Sequence, residues 1–201
     1  MQLRAPAILV AARPHGETAV VARLLTEEHG LVAAYVAGGR GRRLRPVVIP
    51  GNLVEADLRA RSDSQLPFAR LELVQSRGPW LSEPLPAAAI AWSCALTASV
   101  LPERNAYPAL YHALSATLDA ICNAPSARGW APALVAYEAL MLREMGYGGN
   151  AERPEVADLS AALEFLDRLE APIARYLLAD RLGDVMAART LLRQRLARMV
   201  E

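Results

Sequence analysis

The chain has 201 residues, 53% of them apolar, and its 22 basic and 21 acidic residues give a net charge of +1. This composition excludes an intrinsically disordered tail, which would combine low hydrophobicity with high net charge. Every basic residue is an arginine and 39 residues are alanine, a pairing typical of a GC-rich genome, so arginine content alone says little about nucleic acids. The distribution says more, because residues 1–80 carry 11 arginines against 7 acidic residues and residues 81–201 carry 11 against 14.

The first 78 residues have the pattern of a small β domain. Short apolar or alternating runs are separated by turns rich in glycine, proline and polar residues. The predicted strands are 7–12, 18–26, 31–37, 52–61 and 68–74. Five short strands at this spacing predict a small antiparallel barrel, because closure removes unpaired strand edges.

A proline-rich stretch at 79–86 marks the predicted domain boundary, since three prolines in eight residues interrupt strands and helices alike. After it, apolar residues recur every three or four positions, and Gly146 is a natural helix stop. The predicted helices are 87–101, 107–122, 130–145, a segment spanning 156–169, one opened by Pro172, and 185–199. We therefore predict an α+β fold in which strands precede helices, with a barrel domain at 1–78, a linker at 79–86 and a helical domain at 87–201.

We expect neither a targeting segment nor a membrane span. Residues 1–12 resemble a signal peptide superficially, but the run stops at Arg13 and suits a strand better. Residues 84–102 carry no charge and approach spanning length, yet their alanines, serines and prolines favour a buried helix. Cys94 and Cys122 have no partner at metal-ligand spacing and are expected to be buried thiols. We expect a cytoplasmic protein without a bound metal.

The inventory of reactive side chains argues against catalysis. The three histidines are far apart, and the sequence contains no Gly-x-Ser-x-Gly, His-Glu-x-x-His or paired-carboxylate motif. The glycine-rich run 38–41 lacks the Gly-Lys-Ser/Thr ending of a phosphate-binding loop, and no helix is predicted to follow it. We therefore expect neither an enzyme nor a cofactor; a small hydrolase or transferase is the alternative from another class.

Residues 39–46 are the segment that most suggests a function. This predicted loop between two strands carries four arginines in six residues: Arg40, Arg42, Arg43 and Arg45. Guanidinium groups suit bidentate phosphate contacts and stack on bases, so we predict DNA binding here, with Arg13 and Arg23 as possible neighbours. The alternative is that the loop is merely solvated.

Aromatic residues that could stack on bases are scarce in this half of the chain. Before Trp80 it offers only Tyr35 and Phe68, and Phe68 is equally suited to the core. We therefore expect phosphate contacts to outweigh stacking.

The order of several short motifs resembles the RecO family. Residues 12–18 resemble the Arg-Pro-x-x-Glu-Thr/Ser hairpin near the start of RecO proteins, and residues 25–31 resemble their Thr-x-Glu-x-Gly turn. Residues 36–40 resemble a strand ending in Lys-Gly-Ala-Arg, although Ala37 stands where lysine is usual. Residues 50–53 resemble the Gln-Pro segment that opens the fourth strand.

Two further motifs lie in the predicted helical half. Residues 137–147 are similar to the family's Phe-Glu-x-x-Leu-Leu-x-x-Leu-Gly-Tyr helix end, and residues 188–192 are similar to its C-terminal Ser-Arg-x-Leu. Each motif is weak alone, but six in the same order across nearly the whole chain make a strong resemblance.

The resemblance implies an N-terminal OB-fold followed by a helical domain. It also implies a non-catalytic mediator of DNA repair and homologous recombination, which binds single- and double-stranded DNA and anneals complementary strands. RecO-like proteins contact the acidic C-terminal tail of single-strand binding protein (SSB) and, with RecR, help RecA replace that protein on gapped DNA. Such a protein would be cytoplasmic and associated with the nucleoid.

One departure from the family concerns zinc. Many relatives carry a four-cysteine zinc module directly after the Leu-Gly-Tyr helix end, whereas residues 148–152 contain no cysteine. We therefore predict no zinc in this protein.

The partner's acidic tail, if it binds as the resemblance implies, is expected on the helical domain. Because that half is net acidic, docking requires a local apolar groove edged by arginine, for which we select Arg128 and Arg143. The alternative is that both are ordinary solvated residues. The alternative for the whole protein is an OB-fold protein–protein adaptor that does not bind DNA directly.

Overall fold

The structure is a computed structural model that describes residues 2–62, 65–148, 155–179 and 182–200. The chain forms two compact units, one of Met1–Ser82 with Leu101–Tyr111, the other of Glu83–Val100 with His112–Glu201. The predicted order of strands followed by helices is confirmed. The predicted boundaries differ in one respect, because the segment between the first two helices belongs to the strand-containing unit.

Five strands make up the first unit. They are β1 (Gln2–His15), β2 (Ala19–Thr26), β3 (Gly30–Val36), β4 (Leu53–Arg59) and β5 (Phe68–Gln75). Strand β1 pairs antiparallel with both β2 and β4, and β3 meets β5 in parallel, which closes a barrel in the order β1-β2-β3-β5-β4.

Strand β1 is much longer than the predicted 7–12. Its first half pairs with β4, its second half pairs with β2, and the register shifts between Leu9 and Ala11. Such an irregularity bends a strand, which lets one strand serve two neighbours in a closed barrel. The prediction began only after Pro6, a residue usually excluded from paired strands, yet Pro6 lies opposite Glu55 within the ladder.

The barrel core consists of small and medium apolar side chains from alternate positions of every strand. Alternation is required because successive side chains of a strand point to opposite faces. The buried cluster contains Ala7, Leu9, Val20, Ala22, Leu24, Val32, Ala34, Val36, Val54, Ala56, Leu58, Ala69 and Leu71. The intervening positions point away from this core; Ile8, Leu25 and Leu31 among them are still buried, whereas Phe68 is open to solvent.

The segment Leu101–Tyr111 packs on the turn between β2 and β3. Leu31 forms a parallel bridge with Glu103, and the Arg104 amide donates to the Leu31 carbonyl at 2.9 Å. Gly30 has a φ of +65°, and a Cβ built on it would lie 1.9 Å from the Asn105 carbonyl oxygen. Both the turn and the close approach therefore require glycine at position 30.

The second unit is built from helices. They are α1 (Pro84–Val100), α2 (Pro108–Asn123), α3 (Ala127–Glu144), α4 (Leu159–Pro172) and α5 (Leu182–Ala197), of which α2 begins in the first unit. A 3₁₀ turn spans Gly78–Ser82 and a π-helical turn spans Ile173–Leu177. The predicted stop at Gly146 is confirmed by its φ of +88°, directly after the Met145 cap of α3.

Two predictions based on proline were wrong. The linker predicted at 79–86 contains the 3₁₀ turn, and Pro84 and Pro86 belong to α1. Proline is tolerated in a first helical turn because its missing N–H would have no intrahelical partner there. Pro172 ends α4 instead of opening a helix, and the π-helical turn follows it directly.

A buried ion pair lies in the middle of the helical unit. Glu138 of α3 is fully buried, and Arg189 of α5 donates from Nε and Nη2 to its two carboxylate oxygens at 3.1 and 2.8 Å. The Trp92 indole N–H, from α1, donates to Glu138 Oε1 at 2.7 Å. Arg189 also donates to the Leu166 carbonyl of α4 at 2.5 Å, so this one cluster joins four helices.

The hydrogen bonds of Glu138 define its charge state. Burial raises the pKa of the Glu138 carboxyl, whereas the hydrogen bonds from Arg189 and Trp92 act in the opposite direction. Two of the three hydrogen bonds come from the Arg189 guanidinium, which is always charged, so we take the pair as charged. Removal of Arg189 would leave Glu138 buried without a countercharge, and removal of Glu138 would leave Arg189 with only the half-exposed Glu170 carboxylate at 3.7 Å.

Alanine substitutions at two glycines should separate backbone strain from steric contact. Gly16 and Gly30 both lie in hairpin turns with φ near +60°, but a Cβ at Gly16 meets no atom within 4 Å. We expect Gly16→Ala to lower the free energy of unfolding by about 1 kcal/mol and Gly30→Ala by about 2–4 kcal/mol. Urea unfolding measures both, and equal losses would show that Asn105 does not constrain position 30.

Substitutions at the buried ion pair should be strongly non-additive. We expect Glu138→Gln to lower the free energy of unfolding by about 3–5 kcal/mol, because Arg189 then keeps only the more distant, half-exposed Glu170 carboxylate. The double change Glu138→Met/Arg189→Met should cost less than that single change. The control is Asp167→Asn, which removes a partly exposed pair with Arg193 at 2.7 Å and should cost at most about 1 kcal/mol. A double variant less stable than Glu138→Gln would contradict the expected cost of an unpaired buried charge.

Candidate nucleic-acid interface

The four clustered arginines lie on a folded segment between β3 and β4, which we call the arginine segment (residues 39–46). Its backbone is a series of turns, in which Gly41 N donates to Gly38 O at 2.8 Å and Arg45 N donates to Gly41 O at 2.9 Å. Gly39 is buried, and a Cβ there would lie 2.6 Å from a Val20 methyl group. Close packing of this backbone on β2 thus requires glycine at the start of the segment.

Apolar contacts and one asparagine fix the end of the arginine segment. Leu44, Val47 and Val48 pack partly buried against the barrel core. The buried Asn52 side chain donates from Nδ2 to the carbonyls of Pro46 and Val47, both at 3.0 Å, and accepts from the Arg77 amide at 2.7 Å. Leu44 within the segment and Val47 and Val48 directly after it therefore anchor its end to the barrel.

Three arginines of the arginine segment line a shallow depression. Arg40, Arg42 and Arg45 line it with Pro46 and Ile49, and it encloses about 480 Å³. Arg40 also donates to the Glu17 carbonyl at 3.0 Å, which connects the segment to the turn between β1 and β2. Arg43 is exposed as well, although it does not line the depression.

The electrostatic state of these arginines follows from their neighbours. Among the described residues, no carboxylate lies within 4.0 Å of a guanidinium nitrogen in the arginine segment. Their positive charge is therefore not compensated by a close ion pair within the part of the chain that the structure describes. Clustered guanidinium groups of this kind attract an anion such as a phosphate.

The two arginines predicted as neighbours differ from each other. Arg13 is exposed on β1, close to the turn that Arg40 contacts. Arg23 is only 25% exposed and forms an ion pair with Glu103 at 3.5 Å. Arg13 thus extends the cationic surface, whereas the charge of Arg23 is compensated within the protein.

The outer face of β4 carries compensated charges. Arg4 pairs with Glu55 at 3.0 Å, and Arg59 pairs with Asp57 at 2.9 Å. The hydrogen bond from Arg59 lowers the pKa of Asp57, which keeps this carboxylate ionised at neutral pH. The cationic surface of the barrel is therefore concentrated on the arginine segment and not on β4.

Phe68 is a residue whose exposure the sequence left open. Its side chain is 64% exposed, so it does not belong to the core. The ring packs edge-to-face on Tyr35, with centroids 5.1 Å apart. The alternation of β5 already indicated this exposure. Ala69 and Leu71 occupy the inward positions, so Phe68 faces outward.

A concave apolar surface lies in the helical unit. It encloses about 730 Å³ between α2, α3 and α4, and we call it the helical groove. Its apolar lining includes Ala116, Ala133, Ala136, Leu140, Phe165 and Leu169. Arg143 and Arg168 line the same groove, each in a solvent-exposed ion pair with a nearby glutamate.

The two arginines selected from the sequence for this surface are not brought together. Arg143 lines the helical groove, whereas Arg128 lines a separate, smaller depression with Leu159 and Met199. Sequence reasoning missed Arg168, which comes from α4 and stands over the Phe165 ring at 4.9 Å from its centroid. The i, i+3 spacing of Phe165 and Arg168 on one helix was the available signal.

Within the described ranges, no group of three or more histidine, cysteine, aspartate or glutamate side chains is arranged to hold a metal ion. Cys94 and Cys122 are both buried and free. Residues 149–152, which fall where relatives carry the zinc module, lie outside the described residues, so the absence of zinc stays a prediction. Among the helical residues that the structure describes, no helix is long and apolar enough to cross a membrane.

Strand β1 pairs with both β2 and β4, and β3 closes the barrel on β5. This strand order defines an OB-fold, and the protein belongs to the class in which an OB-fold is followed by a helical domain. The family model described as Recombination protein O N terminal matches residues 1–77, and the one described as Recombination protein O C terminal matches residues 82–153. The chain belongs to the RecO family, which confirms the resemblance found in its motifs.

Curated relatives agree with this assignment. A protein named DNA repair protein RecO from Rhodospirillum centenum is 45% identical over 143 residues, which cover 71% of this chain and 56% of the relative. The protein of the same name from Gluconacetobacter diazotrophicus is 36% identical over 169 residues, covering 83% and 66%. That from Caulobacter vibrioides is 39% identical over 150 residues, covering 74% and 60%. The chain thus spans less than two thirds of the length of these relatives.

Proposed function

We propose that this protein is a non-catalytic mediator of DNA repair and homologous recombination. In this proposal it binds single- and double-stranded DNA, anneals complementary strands and, with RecR, helps RecA load on gaps coated with SSB. It would act in the cytoplasm, on the nucleoid. Relatives named DNA repair protein RecO support the repair role.

One observation carries the DNA-binding part of the proposal. The arginine segment presents four guanidinium groups on an OB-fold barrel, without a close carboxylate among the described residues. Phosphate oxygens suit the planar guanidinium fork, and neutralised phosphates release condensed counterions. An electrostatic site of this kind binds the backbone and does not read sequence.

Annealing follows from the same contacts without bond chemistry. Two complementary strands repel each other through their phosphates, and a cationic surface lowers that repulsion. Because the arginines hold the backbone, the Watson–Crick edges of the bases stay free to pair. Such a role needs no nucleophile, general base or metal, and it is compatible with the scattered histidines of this chain.

We further propose that the helical groove receives the acidic C-terminal tail of SSB. Alanines leave a concave apolar surface between three helices, and Arg143 and Arg168 supply positive charge beside it. A tail that combines carboxylates with apolar side chains matches both features. This arrangement favours Arg143 over Arg128 as the partner-binding residue.

A protein–protein adaptor that does not bind DNA is the alternative function. It is supported by the apolar helical groove, which would serve an adaptor equally well. The arginine segment argues for DNA, because a surface for neutral protein partners would not require four clustered positive charges. Retention on single-stranded DNA, with elution at moderate salt, distinguishes the two functions.

Alanine substitutions in the arginine segment should lower both DNA affinity and its salt dependence. Each phosphate contact on a single strand contributes roughly 0.7 to the slope of log affinity against log salt. The slope should therefore fall by about 2 in Arg42→Ala/Arg43→Ala/Arg45→Ala and by about 3 when Arg40→Ala is added. Fluorescence anisotropy at several salt concentrations measures this, and the annealing rate should fall in parallel.

The control is Arg4→Ala. It also removes an exposed arginine from the barrel, but one that is ion-paired to the Glu55 carboxylate. We expect its salt slope to be close to that of the unmodified protein. If the arginine-segment variant folded and kept the full salt slope, DNA would have to bind elsewhere on the protein. If the unmodified protein bound no DNA at all, the adaptor function would gain support.

Substitutions in the helical groove should separate Arg143 from Arg128. We expect Arg143→Ala/Arg168→Ala to weaken binding of an SSB tail peptide about tenfold or more, because two charge-assisted contacts are lost. Arg128→Ala should leave the affinity unchanged, since Arg128 does not line the groove. Calorimetric titration with the peptide measures both; equal effects of the two variants would rule out the groove as the docking site.

A further inference from the structure

One line of paired residues runs around the outside of the barrel and ends in an arginine on each side. Arg13 of β1 lies opposite Val21, Val21 opposite Tyr35, Tyr35 opposite Phe68, and Phe68 opposite Arg59. We call these five residues the outer row. Residues that are directly opposite each other on one face of a sheet have neighbouring side chains, so the row is a continuous surface.

The centre of the outer row is aromatic and open to solvent. Phe68 is 64% exposed, and its ring packs edge-to-face on the half-buried Tyr35. The His15 ring also packs on Tyr35, with centroids 5.8 Å apart and ring planes at 88°. Three rings in contact form a rigid platform, because each ring limits the rotation of the next.

The outer row is connected to the arginine segment by the turn between β1 and β2. Arg40 donates to the carbonyls of Gly16 and Glu17, at 3.5 and 3.0 Å, and its amide donates to Thr18. His15 immediately precedes this turn along the chain. The aromatic platform and the arginine segment are thus adjoining parts of one surface of the barrel.

The two arginines at the ends of the row differ in whether a carboxylate pairs with them. Arg13 is exposed, and no described carboxylate lies within 4.0 Å of its guanidinium group. Arg59 is held by Asp57 through two hydrogen bonds at 3.2 and 2.9 Å. Of the two ends of the row, the one on β1 therefore carries the arginine without a close countercharge among the described residues, and this end is nearer to the arginine segment.

We propose that the outer row is a stacking platform by which the protein distinguishes single-stranded from double-stranded DNA, with unpaired bases on Phe68 and Tyr35. The inference rests on the proposed DNA-binding function. In a duplex the bases are stacked on one another, so only the phosphates are available to this surface. A single strand offers both its phosphates and its base faces, and aromatic side chains accept any base because every base has a π-face.

The test combines protein variants with strands that lack bases. Phe68→Leu and Tyr35→Leu/Phe68→Leu keep apolar side chains but remove the rings. Stacking on one aromatic side chain is worth roughly 5- to 150-fold in affinity, so we expect a loss of at least about fivefold for each ring on a single-stranded oligonucleotide. For an abasic oligonucleotide of equal length, and for a duplex, we expect less than a twofold change.

The salt dependence should distinguish this surface from the arginine segment. Because leucine substitutions remove no phosphate contact, the slope of log affinity against log salt should be that of the unmodified protein. The matched control is Tyr147→Leu/Tyr176→Leu, which removes another exposed, stacked aromatic pair, with centroids 4.9 Å apart, from the helical unit. That control should bind every oligonucleotide as the unmodified protein does.

The outcomes separate this inference from the proposed function. A ring-less variant that keeps its fold and binds the normal single strand as tightly as the unmodified protein would overturn the inference. So would an equal loss on normal and abasic strands, since the rings would then not act through bases. In both cases the salt slope of the arginine-segment variants still tests DNA binding by itself. If the double variant Tyr35→Leu/Phe68→Leu unfolds, the affinities of the single variant Phe68→Leu for normal and abasic strands decide whether the inference holds.

Discussion

The helical unit depends on the burial of one carboxylate. A charge inside a helix bundle is costly unless it is paired and its remaining hydrogen-bonding sites are filled. Glu138 meets this constraint because Arg189 and Trp92 approach it from two other helices. The same pair explains why a motif at 137–147 and a motif at 188–192 occur together, since each supplies one of the two charges. Arg189 lies beyond the residues that the family model matches, yet its partner lies within them.

An equally strict constraint acts on the barrel, where every second side chain must fit a narrow interior. Alanine fills that interior at Ala7, Ala22, Ala34, Ala56 and Ala69. Since the side-chain period of a strand is two, these inward positions also determine which residues face outward. The aromatic and arginine side chains of the outer row follow directly from that parity. The core and the candidate DNA surface are thus two consequences of one pattern.

Much of this arrangement could be predicted from the sequence, and the failures have local causes. Strands β2 to β5 and the five helices follow periodicity, and Gly146 follows from its role as a helix stop. The first half of β1 was missed because Pro6 obscured the pattern, and Pro84 was assigned to a linker although a first helical turn accepts it.

Other features depend on contacts between distant segments and have no local signal. The pairing of Leu31 with Glu103 is one example, and the three hydrogen bonds of Asn52 are another. For the candidate sites, the sequence indicated the clustered arginines because they are contiguous. It did not show that Arg128 and Arg143 line different surfaces, which only the packing of the helices determines.

The anchoring of the arginine segment affects how much phosphate contacts and base stacking would each contribute to DNA affinity. Arginines on a folded segment lose less conformational freedom on binding than arginines on a loose loop. In the proposed complex, Leu44 and Asn52 would therefore contribute to affinity without touching DNA, by holding the arginine segment in place. Phosphate contacts of this kind weaken as salt rises, whereas the proposed stacking on Phe68 would release no counterions and would depend less on salt. A surface that combines the two would keep its preference for unpaired strands at salt concentrations where its hold on duplex DNA has become weak.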